Sequence, residues 1–178
     1  MVRPAAAALA LVVLGTSTLP ATAQWLAVGR WGSEGNFRYV RPGTWMVEQQ
    51  AGGVSISAEG DHHEARIELS CDAGGSDRRL RLSGYRGDAL DESALAQQEP
   101  RQQALSLVLD GRAFELMVDY RPATHDWLAV EAPGPEFLDA LAMGSRLEIL
   151  NKQGVRVAAV GLSGSGAARD AVRRTCGI

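Results

Sequence analysis

Over much of the chain, apolar and polar residues alternate with a period of two. The clearest runs are Arg66-Ile67-Glu68-Leu69-Ser70-Cys71 and Arg79-Leu80-Arg81-Leu82-Ser83. Leu105-Ser106-Leu107-Val108-Leu109 and Phe114-Glu115-Leu116-Met117-Val118 follow the same rule less strictly. Successive side chains of an extended strand point to opposite faces, so these runs predict antiparallel strands with one face on a core and the other wet. Asp110-Gly111 between the last two runs is a strong hairpin signal. A two-residue turn there pairs Leu109 with Arg112, Leu107 with Phe114 and Leu105 with Leu116, which puts all the large apolar side chains on one face.

A second hairpin is expected where Leu147 and Ile149 precede Asn151-Lys152-Gln153-Gly154 and Val155, Val157 and Ala159 follow. Two- or four-residue loops would set Ile149 against Arg156 and mix faces. A three-residue turn, Lys152-Gln153-Gly154, pairs Ile149 with Val157 and Leu147 with Ala159, and places Gly154 where a left-handed residue is needed.

Two short helices complete the pattern. Pro135-Glu136 opens one with a pre-set φ, Phe137, Leu138 and Leu141 form its buried stripe, and Gly144 ends it. The other runs from about Gly166 to Cys176, capped by Ser163 or Ser165, with Ala168, Val172 and Cys176 on its apolar side. Arg169, Arg173 and Arg174 fall on its wet side and complement the macrodipole. The segment Gly87 to Gln103 is long and polar, either an excursion or a helix from Glu92 to Gln98, and Gly74-Gly75 marks a turn within Asp72 to Asp77. These elements predict a mainly β domain, an antiparallel sandwich or partly open barrel with two short helices.

The N-terminus changes the picture of where that domain works. Arg3, the apolar run Ala5 to Leu14 and the Ala21-Thr22-Ala23 site read in order as a secretory leader over residues 1–23, with the mature domain at 24–178. Ten apolar residues are too few for a spanning helix, so no stable membrane insertion is expected after cleavage. Loss of Arg3 takes the formal charge from −3 to −4. A mildly acidic chain gives no reason to expect nucleic acid as a partner. Lys152 is the only lysine beside many arginines, a coding bias of GC-rich bacteria, and the expected destination is the periplasm or the medium.

In an oxidising compartment two cysteines allow one intramolecular pairing, Cys71 with Cys176. Both are predicted to point inward, one from a strand and one from the last helix. A bridge closing a loop of that length contributes on the order of 4 kcal/mol through chain entropy.

Candidate chemistry is sparse, and no cofactor is expected. Val160-Gly161-Leu162-Ser163-Gly164-Ser165-Gly166 has the look of a phosphate loop, but no P-loop lysine is present and a tight strand-to-helix turn explains the glycines. Ser165 is not in a G-x-S-x-G nucleophile motif. Asp61-His62-His63-Glu64 is a weak metal candidate that would need His125 or Asp126 from elsewhere, since neighbours on a strand diverge. The aromatic segment 24–45, with Trp25, Trp31, Phe37, Tyr39 and Trp45, reads either as a partner-binding arm or as aromatics capping a small core.

The Cys71-ended strand, the Asp110-Gly111 hairpin leading to Phe114-Glu115-Leu116, the helix and hairpin from Phe137 to Val160 and the ending Gly161-Leu162-Ser163-Gly164-Ser165 to Arg174-Thr175-Cys176 carry a resemblance over roughly the last two thirds of the chain. The ending resembles that of periplasmic accessory proteins associated with type VI secretion. Leu162-Ser163-Gly164 before an alanine-rich helix is similar to invasion-associated locus B proteins. The resemblance implies an exported, non-enzymatic β-rich domain with envelope or host-contact roles, no assigned cofactor and no catalytic residues carried over, and an envelope or secreted protein is the expected partner. An inhibitor or immunity-type protein, inserting the 87–103 segment or the aromatic arm into an enzyme cleft, is the narrower alternative. A small metal-dependent hydrolase using His62, His63 or His125 is the alternative of a different class.

Overall fold

The structure, a computed structural model, describes residues 40–50, 52–97 and 99–178. Nine strands form a single antiparallel sheet: β1 (Met46–Gln50), β2 (Gly53–Glu59), β3 (Arg66–Asp72), β4 (Arg79–Ser83), β5 (Gln102–Leu109), β6 (Arg112–Arg121), β7 (Asp126–Ala129), β8 (Arg146–Asn151) and β9 (Arg156–Gly161). Their order is β1-β2-β3-β4-β7-β6-β5-β8-β9, and the sheet curls into a half-barrel. The architecture is thus the partly open barrel, with every strand pair antiparallel. Among the described residues three α-helices accompany it, α1 (Glu92–Ala96), α2 (Pro135–Met143) and α3 (Ser165–Cys176), with one 3-10 turn at Asp61–His63.

The period-two runs are the inner face. Ile67, Leu69 and Cys71 of β3, Leu80 and Leu82 of β4, and Leu105, Leu107 and Leu109 of β5 are all buried. Each fully buried leucine or isoleucine contributes about 1.5–3 kcal/mol by leaving water. The concave side is stoppered by α2 and α3, which pack on each other, and α3 packs on β2 and β3. Phe137 of α2 meets Phe114 of β6 edge to face, with ring centroids 5.4 Å apart. Trp45, just ahead of β1, is buried, and its indole N–H donates to the Gly161 carbonyl at 3.1 Å. There the curl draws towards closure: Thr44 bridges Ser163 in parallel, and a Cβ on Gly43 would stand 2.8 Å from the Gly161 backbone.

The β5–β6 hairpin has the expected register, Leu109↔Arg112, Leu107↔Phe114 and Leu105↔Leu116, with Asp110 and Gly111 both at positive φ. The β8–β9 hairpin departs from expectation by one residue. Its turn is Lys152-Gln153-Gly154 with Gly154 at φ +75°, and Leu150 lies opposite Arg156. A bulge between Ile149 and Leu150 then shifts the register, so Ile149 faces Ala158 and Leu147 faces Val160 rather than Val157 and Ala159. The extra residue lets Val157, Ala158, Ala159 and Val160 all be buried, which strict alternation over a one-sided strand does not allow.

Two helix-end expectations also change. No serine caps α3: the N-cap is Gly164 at φ +82°, and the Ser165 hydroxyl instead donates to the Leu162 carbonyl at 2.8 Å. Arg169 and Arg173 are not merely a solvated face. Arg173 donates to Asp139 of α2 at 2.8 Å and Arg169 lies 3.5 Å from the same carboxylate, so they tie α3 to α2, while Arg174 is exposed. α2 follows its expected bounds, with Phe137, Leu138 and Leu141 buried and Gly144 at its C-cap. Within the 87–103 segment, α1 is shorter than the expected Glu92–Gln98 helix, and Asp91 is its N-cap.

The disulfide joins Cys71 and Cys176, with Cα atoms 6.0 Å apart and 105 residues between them in sequence. It sits beside a second tie of the same elements, the Gly74 N–H donating to the Thr175 carbonyl at 3.3 Å. No described helix is long and apolar enough to cross a membrane.

Candidate functional site

A cleft of about 580 Å³ opens where β6 and β7 part company. β6 is ten residues long and β7 only four, so β7 covers β6 from Val118 to Arg121 and no further. One more backbone bond, Val130 N–H to the Met117 carbonyl at 2.9 Å, continues the ladder, and residues 131–134 then lead to α2. The cleft lies between that segment and Phe114–Met117 of β6. Met117 and Val130 on its wall are exposed, and Pro133 lines it as well. Its charged residues are Glu115 and Glu131, both exposed and neither in an ion pair among the described residues.

A second cleft of about 700 Å³ lies among α1, the start of β5 and the β8–β9 turn. The two clefts share Ala104 and Met117, so they border one another across the β5–β6 hairpin. Lys152 and Gln153 line the second from the turn, Leu95 from α1 and Gln102 from β5. Asn151 holds this wall: its Oδ1 accepts the N–H groups of Gln153 and Val155, each at 2.9 Å, and its Nδ2 donates to the Ala89 carbonyl at 2.8 Å. A short polar side chain that closes its own turn is what asparagine does in such positions.

α1 is fixed to the sheet by a polar contact at the far end of β6. The Tyr120 hydroxyl donates to Glu92 at 2.9 Å, and His125 Nδ1 lies 3.3 Å from the same carboxylate oxygen. Burial and the neighbouring Glu92 push the Tyr120 hydroxyl above the usual tyrosine range. Tyr120 packs on Trp127 with centroids 5.1 Å apart, and Trp127 on Tyr85 at 5.9 Å.

Asp126 anchors the same end. It is 2 % exposed, yet receives a bidentate pair from Arg121, both bonds 2.7 Å, and the Thr124 hydroxyl at 2.8 Å. Burial alone would raise its carboxyl, but the bonds from Arg121 and Thr124, with the charges of Arg121 and Arg81, hold it below the usual range. At the opposite end of β6, Asp110 accepts the Ser145 hydroxyl at 2.7 Å and the Ser145 N–H at 2.8 Å, which also hold its carboxyl low. The open stretch of β6 is therefore held between two anchored ends.

The structure separates the histidines. His62 and His63 are exposed on the β2–β3 connection, His63 lying 2.9 Å from Glu59, whereas His125 meets Glu92 in the β6–β7 turn. No group of three or more His, Cys, Asp or Glu among the described residues could hold a metal ion. Of the aromatic segment, Trp25, Trp31, Phe37 and Tyr39 lie outside the described residues, and Trp45 belongs to the core. Ser165 is buried.

The cleft residues Glu115, Met117 and Val130–Gly134 were not singled out by sequence pattern. The available signal was a length mismatch: a long apolar run at β6 faces a short one at Trp127-Leu128-Ala129, followed by Pro133-Gly134-Pro135, which cannot continue a strand. Compared with models of known families, with curated proteins and with solved structures, the chain has no match.

Proposed function

We propose that the protein is an exported, non-catalytic binding or accessory protein of the cell envelope, working in the periplasm or after secretion with a protein partner. The observation that carries this reading is the pair of adjoining clefts that share Ala104 and Met117. The first combines the exposed Met117 and Val130 with Glu115 and Glu131, neither in an ion pair among the described residues, beside a strand anchored at both ends. Rigid scaffolds that present such mixed surfaces are suited to recognition. The disulfide is consistent with a destination outside the cytosol, where such bonds persist. The resemblance to periplasmic accessory proteins points the same way. The inhibitor version draws less support, because Leu90 and Leu95 bury the 87–103 segment against the core instead of leaving it free to insert.

The test is site-specific photo-crosslinking from envelope extract, with the leaderless protein carrying the crosslinker at Met117 or, as control, at Glu48 on β1. A discrete protein adduct from Met117 and none from Glu48 is expected. Repeated absence of any adduct from Met117 in extracts and culture medium overturns the reading.

A further inference from the structure

A strand in the middle of a sheet normally has both edges paired; β6 does not. Its residues alternate in the direction of their backbone groups. Tyr120 N–H donates to the Arg101 carbonyl, so even-numbered residues face β5, and the Met117 carbonyl accepts from Val130, so odd-numbered residues face the other way. From Met117 back towards the Asp110-Gly111 turn, that second edge has lost its neighbour. The N–H of Met117 and both backbone groups of Glu115 and Ala113 have no hydrogen-bond partner among the described residues. Glu115 and Met117 line the 580 Å³ cleft.

We propose that this stretch of β6 takes an extended peptide segment of a partner protein as an added antiparallel strand, the segment carrying a basic residue opposite Glu115 between two apolar residues opposite Leu116 and Phe114. This rests on the binding reading above and names how the partner is held. Alternating donors and acceptors along an edge are satisfied together only by another extended backbone. Side-chain choice follows from the pleat. Leu116 and Phe114 point to the inner face and are partly buried against the core, so residues opposite them share an apolar environment. Glu115 points outward, carries no ion pair among the described residues, and has Glu131 in the same cleft. A lysine or arginine directly opposite is favoured there, and an acidic residue is opposed. The same charge disfavours a second copy of the chain, since antiparallel pairing of β6 with itself about its open centre sets Glu115 against Glu115. A charged side chain is how open edges are kept from indiscriminate pairing, and here it also selects.

The test uses the leaderless protein and a short blocked peptide, Val-Arg-Val-Thr, whose first residue falls opposite Leu116 because Val130 already stands opposite Met117, with amide hydrogen exchange and calorimetry at low salt. The peptide is expected to bind and to slow exchange at Ala113 and Glu115. Arginine replaced by glutamate, or N-methylated at its own amide, weakens binding about tenfold, whereas N-methylation of either valine, whose amide points away from β6, does not. The Glu115→Lys variant reverses the preference between the arginine and glutamate peptides. Equal binding of the N-methyl-arginine peptide, or no binding of any peptide in the set, overturns strand addition; the Met117 crosslinking result then decides separately whether the binding reading stands. Two outcomes without peptide also overturn it. Concentration-dependent slowing at these amides would make a second copy the occupant, and slowing abolished by deleting residues 24–39 would make it the chain's own N-terminal segment.

Discussion

The two flanks of the half-barrel are built from the same alternating strands but finished differently. On the β2–β3 side the concave face is covered by α3, and the cover is fastened by the Cys71–Cys176 bond and the Gly74–Thr175 hydrogen bond. On the β5–β6 side the hairpin is equally regular, yet half of one β6 edge stays uncovered and Phe114 and Leu116 are only partly buried. Where burial and a covalent bond coincide, the residues serve stability. Where a regular strand is left without a neighbour, stability has little at stake, and the surface is available for another purpose.

Removing the fastening tests the first half of that contrast. The double variant Cys71→Ser with Cys176→Ser is expected to lose about 4–5 kcal/mol, the loop-closure entropy of a bridge spanning 105 residues. Urea denaturation would report it, and a loss below 1 kcal/mol would mean that α3 is held by packing alone. Within the β5–β6 hairpin, Leu107→Ala removes a side chain that is 1 % exposed and is expected to cost about 3 kcal/mol, while Leu116→Ala on the open side costs about 1 kcal/mol. Equal costs would erase the difference between the flanks.

The anchors of β6 should show in acid. Asp126 and Asp110 have carboxyls held below the usual range, so their contribution is present above the unfolded-state value and is lost as pH falls through the lower folded one. Stability should therefore decline below about pH 5. Asp126→Asn should cost about 2 kcal/mol at neutral pH and flatten that acid decline, because the buried partner of Arg121 no longer titrates. An unchanged acid profile would show that the anchor contributes nothing. The smallest effect belongs to the open edge: Glu115→Lys should change stability by less than about 0.5 kcal/mol. A larger loss would assign Glu115 to the fold and not to recognition.

Most of the framework was legible in the sequence because its signals are local. Asp110-Gly111 sets a two-residue turn whatever surrounds it, and the apolar faces of Leu105–Leu109 and Phe114–Leu116 agree with only one register. Gly154 likewise announced its turn. The bulge at Ile149/Leu150 was hidden, since Val157 followed by Ala158 reads as an irregularity in the period and becomes a pairing shift only once both faces of β9 are covered. The pairing of Arg169 and Arg173 with Asp139 depends on how two helices dock, which helix periodicity does not contain. The cleft was illegible for a related reason. An uncovered edge is a property of the neighbouring strand's length, so nothing in Glu115 or Met117 marks it. The cysteines, by contrast, had a single possible connectivity, because two thiols have one way to pair, and the structure joins them.

The most direct test is residue-resolved hydrogen exchange along β6 in the unliganded leaderless protein. Phe114 and Leu116, whose amides bond to β5, should be strongly protected, and Glu115 and Met117, whose amides face the cleft, should exchange within the range of exposed loops. An alternation of that kind inside one strand is the mark of an open edge on a rigid scaffold. Uniform protection from Ala113 to Met117 would contradict it and would mean that this face is already covered.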